Sequence, residues 1–193
     1  MTKHRVAKPL ITGALGLLAS LVLALPAVAA DAPVSGFRAE VLRNVDDAAG
    51  KLTELAGAVP ADKYGWRPAA GVRSVSEVYA HVAGGNYYLA TFVGTPWPTG
   101  VPQDLEKITD KAKVVEALKA SIDFLRGVIT KTPDADLDRK IKLFGQDATV
   151  RAAMLAMVSH LHEHLGQSIA YARMNGVVPP WTAREQEQPK KKT

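Results

Sequence analysis

The 193-residue chain contains no cysteine. Disulfides, thiolate metal ligands and a cysteine nucleophile are thereby excluded. The fold must be held by an apolar core, and any metal by His, Asp, Glu or water. The sequence also lacks an internal repeat, a long low-complexity segment and a glycine-rich loop of the kind that cradles phosphate. No serine, histidine and acid can be matched as a hydrolytic triad by order or spacing. One long uncharged run exists, "LITGALGLLASLVLAL" near the N-terminus. It is shorter than the ~20 residues a spanning helix needs.

That run has the setting of a secretory leader. Lys3, Arg5 and Lys8 precede it, Pro26 ends it, and "PAVAADAP" places small residues for cleavage after Ala29 or Ala30. Residues 1–30 are therefore expected to be a signal peptide, and the protein to be exported, periplasmic or secreted. No twin arginine precedes the run, and without a cysteine no lipid anchor can follow it. The alternative, an uncleaved membrane anchor, is opposed by the short run and its proline. The rest of the chain suits one domain with a substantial core.

Loss of the leader removes three positive charges, so the net charge falls from the +5 of the whole sequence to +2. Lys190, Lys191 and Lys192 lie in the terminal "EQEQPKKKT". The high pI, about 9.4, thus belongs to the two ends. A nucleic-acid partner would need a basic face on the folded part and is not expected. Residues 183–193 are expected to be a disordered basic tail after a domain over 31–182. No membrane contact is expected after cleavage.

Four segments carry helical periodicity. The first runs from about Val34 to Ala58, with Phe37, Val41, Val45, Ala48, Leu52 and Leu55 on one stripe. The second starts at Ser74, which with Glu77 has the spacing of a capping box, and ends by Gly94–Pro98. Gly84 and Gly85 fall inside it, each costing ~1 kcal/mol relative to alanine. Something is expected to pack closely there. The third runs from about Asp110 to Lys131. The fourth starts near Thr149 and stops at "MNGVVPPW", where Asn175 and Gly176 fit a helix cap and Pro179 and Pro180 forbid continuation. "TPWPTGVPQDLEKIT" makes a long second connection, and "KIKLFGQDAT" fits a short extended piece. The pattern predicts an all-α four-helix bundle whose long connection between helices 2 and 3 permits a crossover.

Three of the five histidines crowd into "SHLHEHLGQ", residues 159–167. At about 100° per residue, His160 and His164 lie about 40° apart on one face, whereas His162 points about 200° from His160. Only the first two can share an ion, at the spacing of helical two-histidine zinc sites. They follow Met157 and Leu161 and so face inward. His81 follows Val78 by one turn and also faces inward. A buried imidazole needs a partner, and one metal shared by His81, His160 and His164 would satisfy all three. Hydrogen-bonded core histidines satisfy the pattern equally well. His162 reads as solvated or at a subunit contact. Glu163 points away from His164, and Glu77 is better explained as a cap. Gln167, one turn after His164, and Asn86, near His81 in sequence, are candidate neighbours of the site. Tyr87 and Tyr88 fit either a pocket or core packing.

Three blocks, "YGWRPAAGVRSVSEVYAHVAGGNYYL", "LFGQDATVRAAMLAMVSH" and "HLHEHLGQSIAYARMNGVVPPW", together resemble the DinB-like superfamily of metal-binding four-helix bundles. In that family an aromatic–Arg–Pro turn and an R-S-V cap precede the first metal histidine. The last helix supplies two more, before G-Q and a G-x-x-P-P exit. The matching positions here are His81, His160 and His164. The resemblance implies an up-down-down-up bundle, often a homodimer, with zinc or another divalent ion such as nickel. It also implies kinship with transferases and isomerases that use thiols such as mycothiol, bacillithiol or glutathione. Export departs from that pattern, because those thiols are cytosolic.

Two functions remain in view. One is a metal-dependent transferase or hydrolase acting on a small molecule or thiol, since three imidazoles leave open positions on the ion. The other is a non-catalytic exported metal-binding or interaction protein whose ion stabilises the bundle. A plain bundle with core histidines and no metal is the third reading.

Overall fold

Short polar side chains set where the helices begin. Ser74 accepts from the Glu77 amide while the Glu77 carboxylate accepts from the Ser74 amide, a complete capping box that starts α2, Val75–Thr91. Asp110 caps α3, Lys111–Lys131, by accepting from Lys113, and Thr149 caps α4, Val150–Met174, by accepting from Ala152. The first helix, α1, spans Gly36–Ala58. Its C-terminal carbonyls are met from outside: Lys111 Nζ donates to Gly57 and Val59, each at 2.7 Å, and the buried Tyr64 hydroxyl donates to Ala56. At the end of α4, Gly176 takes a left-handed φ of 74°, as a C-cap glycine does. The computed structural model describes Met1, Val34 and residues 36–187. The expected leader lies outside the described residues.

The four long helices form a bundle with a continuous apolar core. It runs from Val41, Val45, Leu52 and Leu55 of α1 through Val78 and Val82 of α2. Leu118, Leu125 and Ile129 of α3 continue it, and Met154, Met157 and Leu161 of α4 complete it. Each such side chain contributes about 1.5–3 kcal/mol on burial. Contacts between helix ends fix their directions. Val93–Thr95, just past the end of α2, line one cavity with Val128 and Thr132 at the end of α3, so α2 and α3 run parallel. Arg38 near the start of α1 donates to Thr130 near the end of α3, so these two are antiparallel. Arg151 at the start of α4 lies over the Phe37 ring at the start of α1, 4.5 Å from its centroid, so these are parallel. Val75 and Tyr79 at the start of α2 meet Tyr171 and Ala172 at the end of α4. The arrangement is up-down-down-up. A parallel α2–α3 pair cannot be joined by a tight turn, which is why the second connection is long.

That connection is pinned by a small core of its own. Leu105, Tyr87, Ala80 and Ala83 are buried together, with Trp97 and Phe124 packed against them. The Trp97 indole donates to Val101 O. Between α3 and α4 the extended piece is an antiparallel hairpin of β1, Lys140–Leu143, and β2, Gln146–Thr149. Phe144 and Gly145 turn it with φ of 50° and 83°. Both central residues of a two-residue hairpin turn of this hand need positive φ, which is strained for phenylalanine.

The chain does not end where the prolines suggested. Pro180 opens a fifth helix, α5, Pro180–Glu187, so residues 183–187 of the expected tail are helical. Proline lacks only a hydrogen that the first helical turn leaves unpaired, and therefore starts a helix as readily as it stops one. Trp181 packs on the core, and Arg184 pairs with Glu54 of α1 at 2.9 Å. Residues 188–193 lie outside the described residues. Among those described, no helix is long and apolar enough to cross a membrane.

Candidate metal centre

α2 and α4 run antiparallel and touch midway along their lengths. His81 sits on the contact face of α2, and His160 and His164 one turn apart on the contact face of α4. The three rings form a near-equilateral cluster, with centroids 5.2, 4.7 and 4.6 Å apart. One ring nitrogen from each lies within 4.8 Å of the others. A cation between them would be reached by all three side chains.

The room for this comes from Gly85. A methyl group there would stand 2.1 Å from His160 Cε1, 2.7 Å from Nε2 and 2.9 Å from Nδ1. Glycine lets the His160 ring lie directly on the α2 backbone, which is the close approach that the paired glycines foretold. Gly84 plays no such part, because a methyl group there would meet nothing within 4 Å.

Hydrogen bonds sort the ring nitrogens. His81 Nδ1 faces Glu106 Oε1 at 2.8 Å. Arg73 grips the same carboxylate with two bonds, at 3.0 and 3.2 Å. Burial opposes ionisation of Glu106, but Arg73 and His81 outweigh it and hold the carboxyl below its ordinary range. An ionised Glu106 makes Nδ1 of His81 the donor and leaves Nε2 as the lone-pair nitrogen. His164 Nδ1 faces Gln167 Oε1 at 2.8 Å, while Gln167 Nε2 donates to the Tyr171 hydroxyl. The amide orientation thus makes His164 Nδ1 a donor as well, and frees its Nε2. His160 has neither kind of support. Its Nε2 faces His81 Nε2 at 3.4 Å, and its Nδ1 is buried without a partner.

Electrostatics keep His81 and His160 uncharged. Burial lowers the His160 pKa to about 4, aided by His164, His81 and Arg73. Burial also lowers that of His81, against the pull of Glu106. Imidazoles converging on one point, two of them oriented by an acceptor behind the ring, are the donor set of a divalent site. The residues present fit such an ion.

The other sequence candidates divide. Gln167 does stand behind a ring of the cluster. Asn86 does not join it: fully buried, it donates to Ser121 Oγ of α3 at 3.0 Å. Five residues after His81 is about 140° around the helix, so the two face different neighbours. His162 is exposed and hydrogen-bonds to Val158 O within its own helix. Glu163 is exposed. Tyr87 belongs to the small core, and Tyr88 lines a cavity beside His81. No sequence pattern marks Glu106 and Arg73 as parts of the site. Glu106 is 25 residues from its histidine and on another element, beyond the reach of any periodicity rule. The one local signal is Leu105, an apolar residue between Asp104 and Glu106, which anchors the 3-10 turn Leu105–Lys107 over α2.

The sequence pattern of the DinB superfamily matches residues 44–168, a span that contains all three histidines. Among solved structures, a DinB-like protein from Bacillus cereus superposes with a TM-score of 0.64 at 15% identity, over 72% of this chain and 93% of that one. A DinB-like protein from Bacillus subtilis superposes with a TM-score of 0.60 at 21% identity, over 72% and 94%. At such identities the likeness is one of fold. No curated protein matches the chain.

Proposed function

This chain belongs to the DinB superfamily, and from that premise we propose that it binds one divalent ion, zinc foremost and nickel as an alternative, through His81, His160 and His164 and acts with it on a small molecule. The observation that carries this reading is the convergence of three ring nitrogens within 4.8 Å, each on a rigid helix. A bound ion would supply Lewis-acid polarisation to an oxygen or sulfur atom of that molecule.

The chain's own residues then have separable tasks. Glu106, clamped by Arg73, and Gln167, held by Tyr171, fix the proton on the outer nitrogen of His81 and His164. Gly85 seats His160. Next to the cluster, the carboxylates are engaged: Glu106 with Arg73 and His81, and Asp104 with Lys107 at 2.9 Å. With both of these carboxylates ion-paired, removal of a proton from water or from a thiol would depend on the Lewis acidity of the ion rather than on a neighbouring base.

The competing reading is an ion that only ties α2 to α4. It is disfavoured because Val78, Val82, Met157 and Leu161, on the same two helices, are already buried in the core. Chelation separates the two. If the ion serves a small molecule, its removal leaves the helical circular dichroism and cooperative melting intact, and cobalt reloading gives a spectrum that shifts with added azide or thiol. Unfolding on chelation would establish the structural role instead.

Export is part of the proposal and rests on the leader pattern of residues 1–30. Recovery of protein beginning at Ala30 or Asp31 outside the cytoplasm supports it, and an intact Met1 start inside would sink it. The homodimer that the family resemblance implies is tested by light scattering on the metal-loaded protein.

A further inference from the structure

Beside His81 a cavity of about 600 Å³ opens between α2 and the long connection. This is within the usual range for small-molecule sites, about 300–1,000 Å³. One face of α2 forms its floor: Ala80, His81, Gly84, Gly85 and Tyr88, at the spacing that brings residues to the same side of a helix. Trp97 and Leu105 of the connection form the facing wall. The charged groups at its edge are already paired, Glu106 with Arg73 and His81, and Asp104 with Lys107. The lining is therefore mostly aromatic and aliphatic, with Gln103 as a neutral polar group and no unpaired carboxylate. Its one outlet to chemistry is the end where His81 and Gly85 stand, and His160 lies directly on Gly85.

Gly84 makes this cavity informative. A glycine inside a helix costs stability, and at Gly85 the His160 ring accounts for it. At Gly84, as at Gly50, Gly57, Gly127 and Gly166 in the other helices, no neighbouring atom does, but of these only Gly84 lines this cavity. A methyl group would meet no atom within 4 Å, and the backbone there has no positive φ. What a side chain at Gly84 would enter is the cavity. The missing side chain at Gly84 leaves that part of the space open.

We propose that this cavity holds the apolar, aromatic-sized body of a small ligand whose anionic head reaches the three-histidine centre, and that Gly84 sets the room for that body. The proposal rests on the metal-binding reading above. An ion held by uncharged imidazoles keeps its positive charge, which selects an anionic head. Trp97, Tyr88 and Leu105 select the body.

The test uses the metal-loaded mature chain with two probes that share a head and differ in body, acetohydroxamate and benzohydroxamate. Binding is read from the cobalt spectrum and from tryptophan emission, with metal content measured on the same samples. The parent is expected to bind benzohydroxamate at least about tenfold more tightly, a step of about 1.4 kcal/mol. Gly84→Leu is expected to reduce that preference to about threefold or less while leaving acetohydroxamate affinity and metal content unchanged. Gly84→Ala gives a smaller loss of the same kind, and serves if the leucine variant melts well below the parent. Benzohydroxamate should also shift the emission of the parent and not of Trp97→Phe. Equal affinity for the two probes in the parent would overturn the cavity proposal and leave the metal site standing. So would a preference unchanged in both Gly84 variants. Failure of both probes to bind chains that carry the ion would overturn the cavity proposal and the open coordination sphere together. Chains that take up no ion would overturn the metal reading itself.

Discussion

Gly85→Ala separates helix stability from metal binding at one atom. In an ordinary helix the change would stabilise by ~1 kcal/mol. Here the new methyl would fall 2.1 Å from His160 Cε1, with the two ring nitrogens at 2.7 and 2.9 Å. Ordinary contact begins near 3.4 Å, so the ring must withdraw by roughly 1 Å or more. The imidazole is a side-chain end and can swing, so the metal-free fold accommodates the methyl. The metal site cannot, because zinc–nitrogen distances tolerate only about 0.2 Å. Loss of one of three ligands should weaken zinc binding at least about 100-fold, or about 2.7 kcal/mol. Gly84→Ala is the matched control, with nothing within 4 Å of its methyl. It should raise the metal-free melting temperature by about 2–4 °C and bind zinc as the parent does. The assay is competitive titration against a chromophoric zinc chelator, with thermal melts in the presence of EDTA. Zinc affinity of Gly85→Ala within about threefold of the parent would refute the placement of His160 as a ligand.

Three further outcomes are expected. Glu106→Gln removes the charge behind His81 and loosens the Arg73 clamp, and should lower zinc affinity about 10–100-fold with the metal-free melting temperature nearly unchanged, by the same titration. Ser74→Ala deletes half of the capping box and should cost about 0.5–2 kcal/mol in urea unfolding, without altering zinc affinity. The third concerns pH. His160 is held near 4, against an ordinary 6.5, chiefly by burial. Between those values the unfolded chain binds a proton that the folded chain does not. This part of the metal-free stability is therefore fully present above about pH 6.5 and is lost as pH falls toward 4. His160→Gln should flatten the urea midpoint over that window, and an unchanged slope would show that the ring is not desolvated.

Much of the molecule is legible from sequence because the signals are local. Ser74 with Glu77, Asp110 and Thr149 start their helices where side-chain caps demand, and each helix start falls within two residues of the one expected. The histidine geometry is legible too, since spacing alone assigns His160 and His164 to one face and His162 to another. A second connection too long for a hairpin permits a crossover, and the order up-down-down-up is what the family resemblance implies. What escapes is non-local. Glu106 and Arg73 reach His81 through the docking of Leu105 on α2, and no pattern within either segment reports that contact. Asn86 is near His81 in sequence but about 140° around the helix from it, and the angle decides that it faces Ser121. The helix at 180–187 was hidden by two prolines whose meaning, stop or start, depends on the Trp181 and Arg184 contacts that follow. The two glycines were seen as a pair, but only the structure distinguishes one that seats a histidine from one that borders a cavity.

The central claim is tested most directly by metal content. The untagged mature protein, loaded with zinc and dialysed, should carry close to one ion per chain by inductively coupled plasma mass spectrometry. His81→Ala and His160→Ala should carry almost none, and His162→Ala should match the parent. No ion in the parent, or full loading of both His81→Ala and His160→Ala, would contradict the account and leave three packed core histidines in its place.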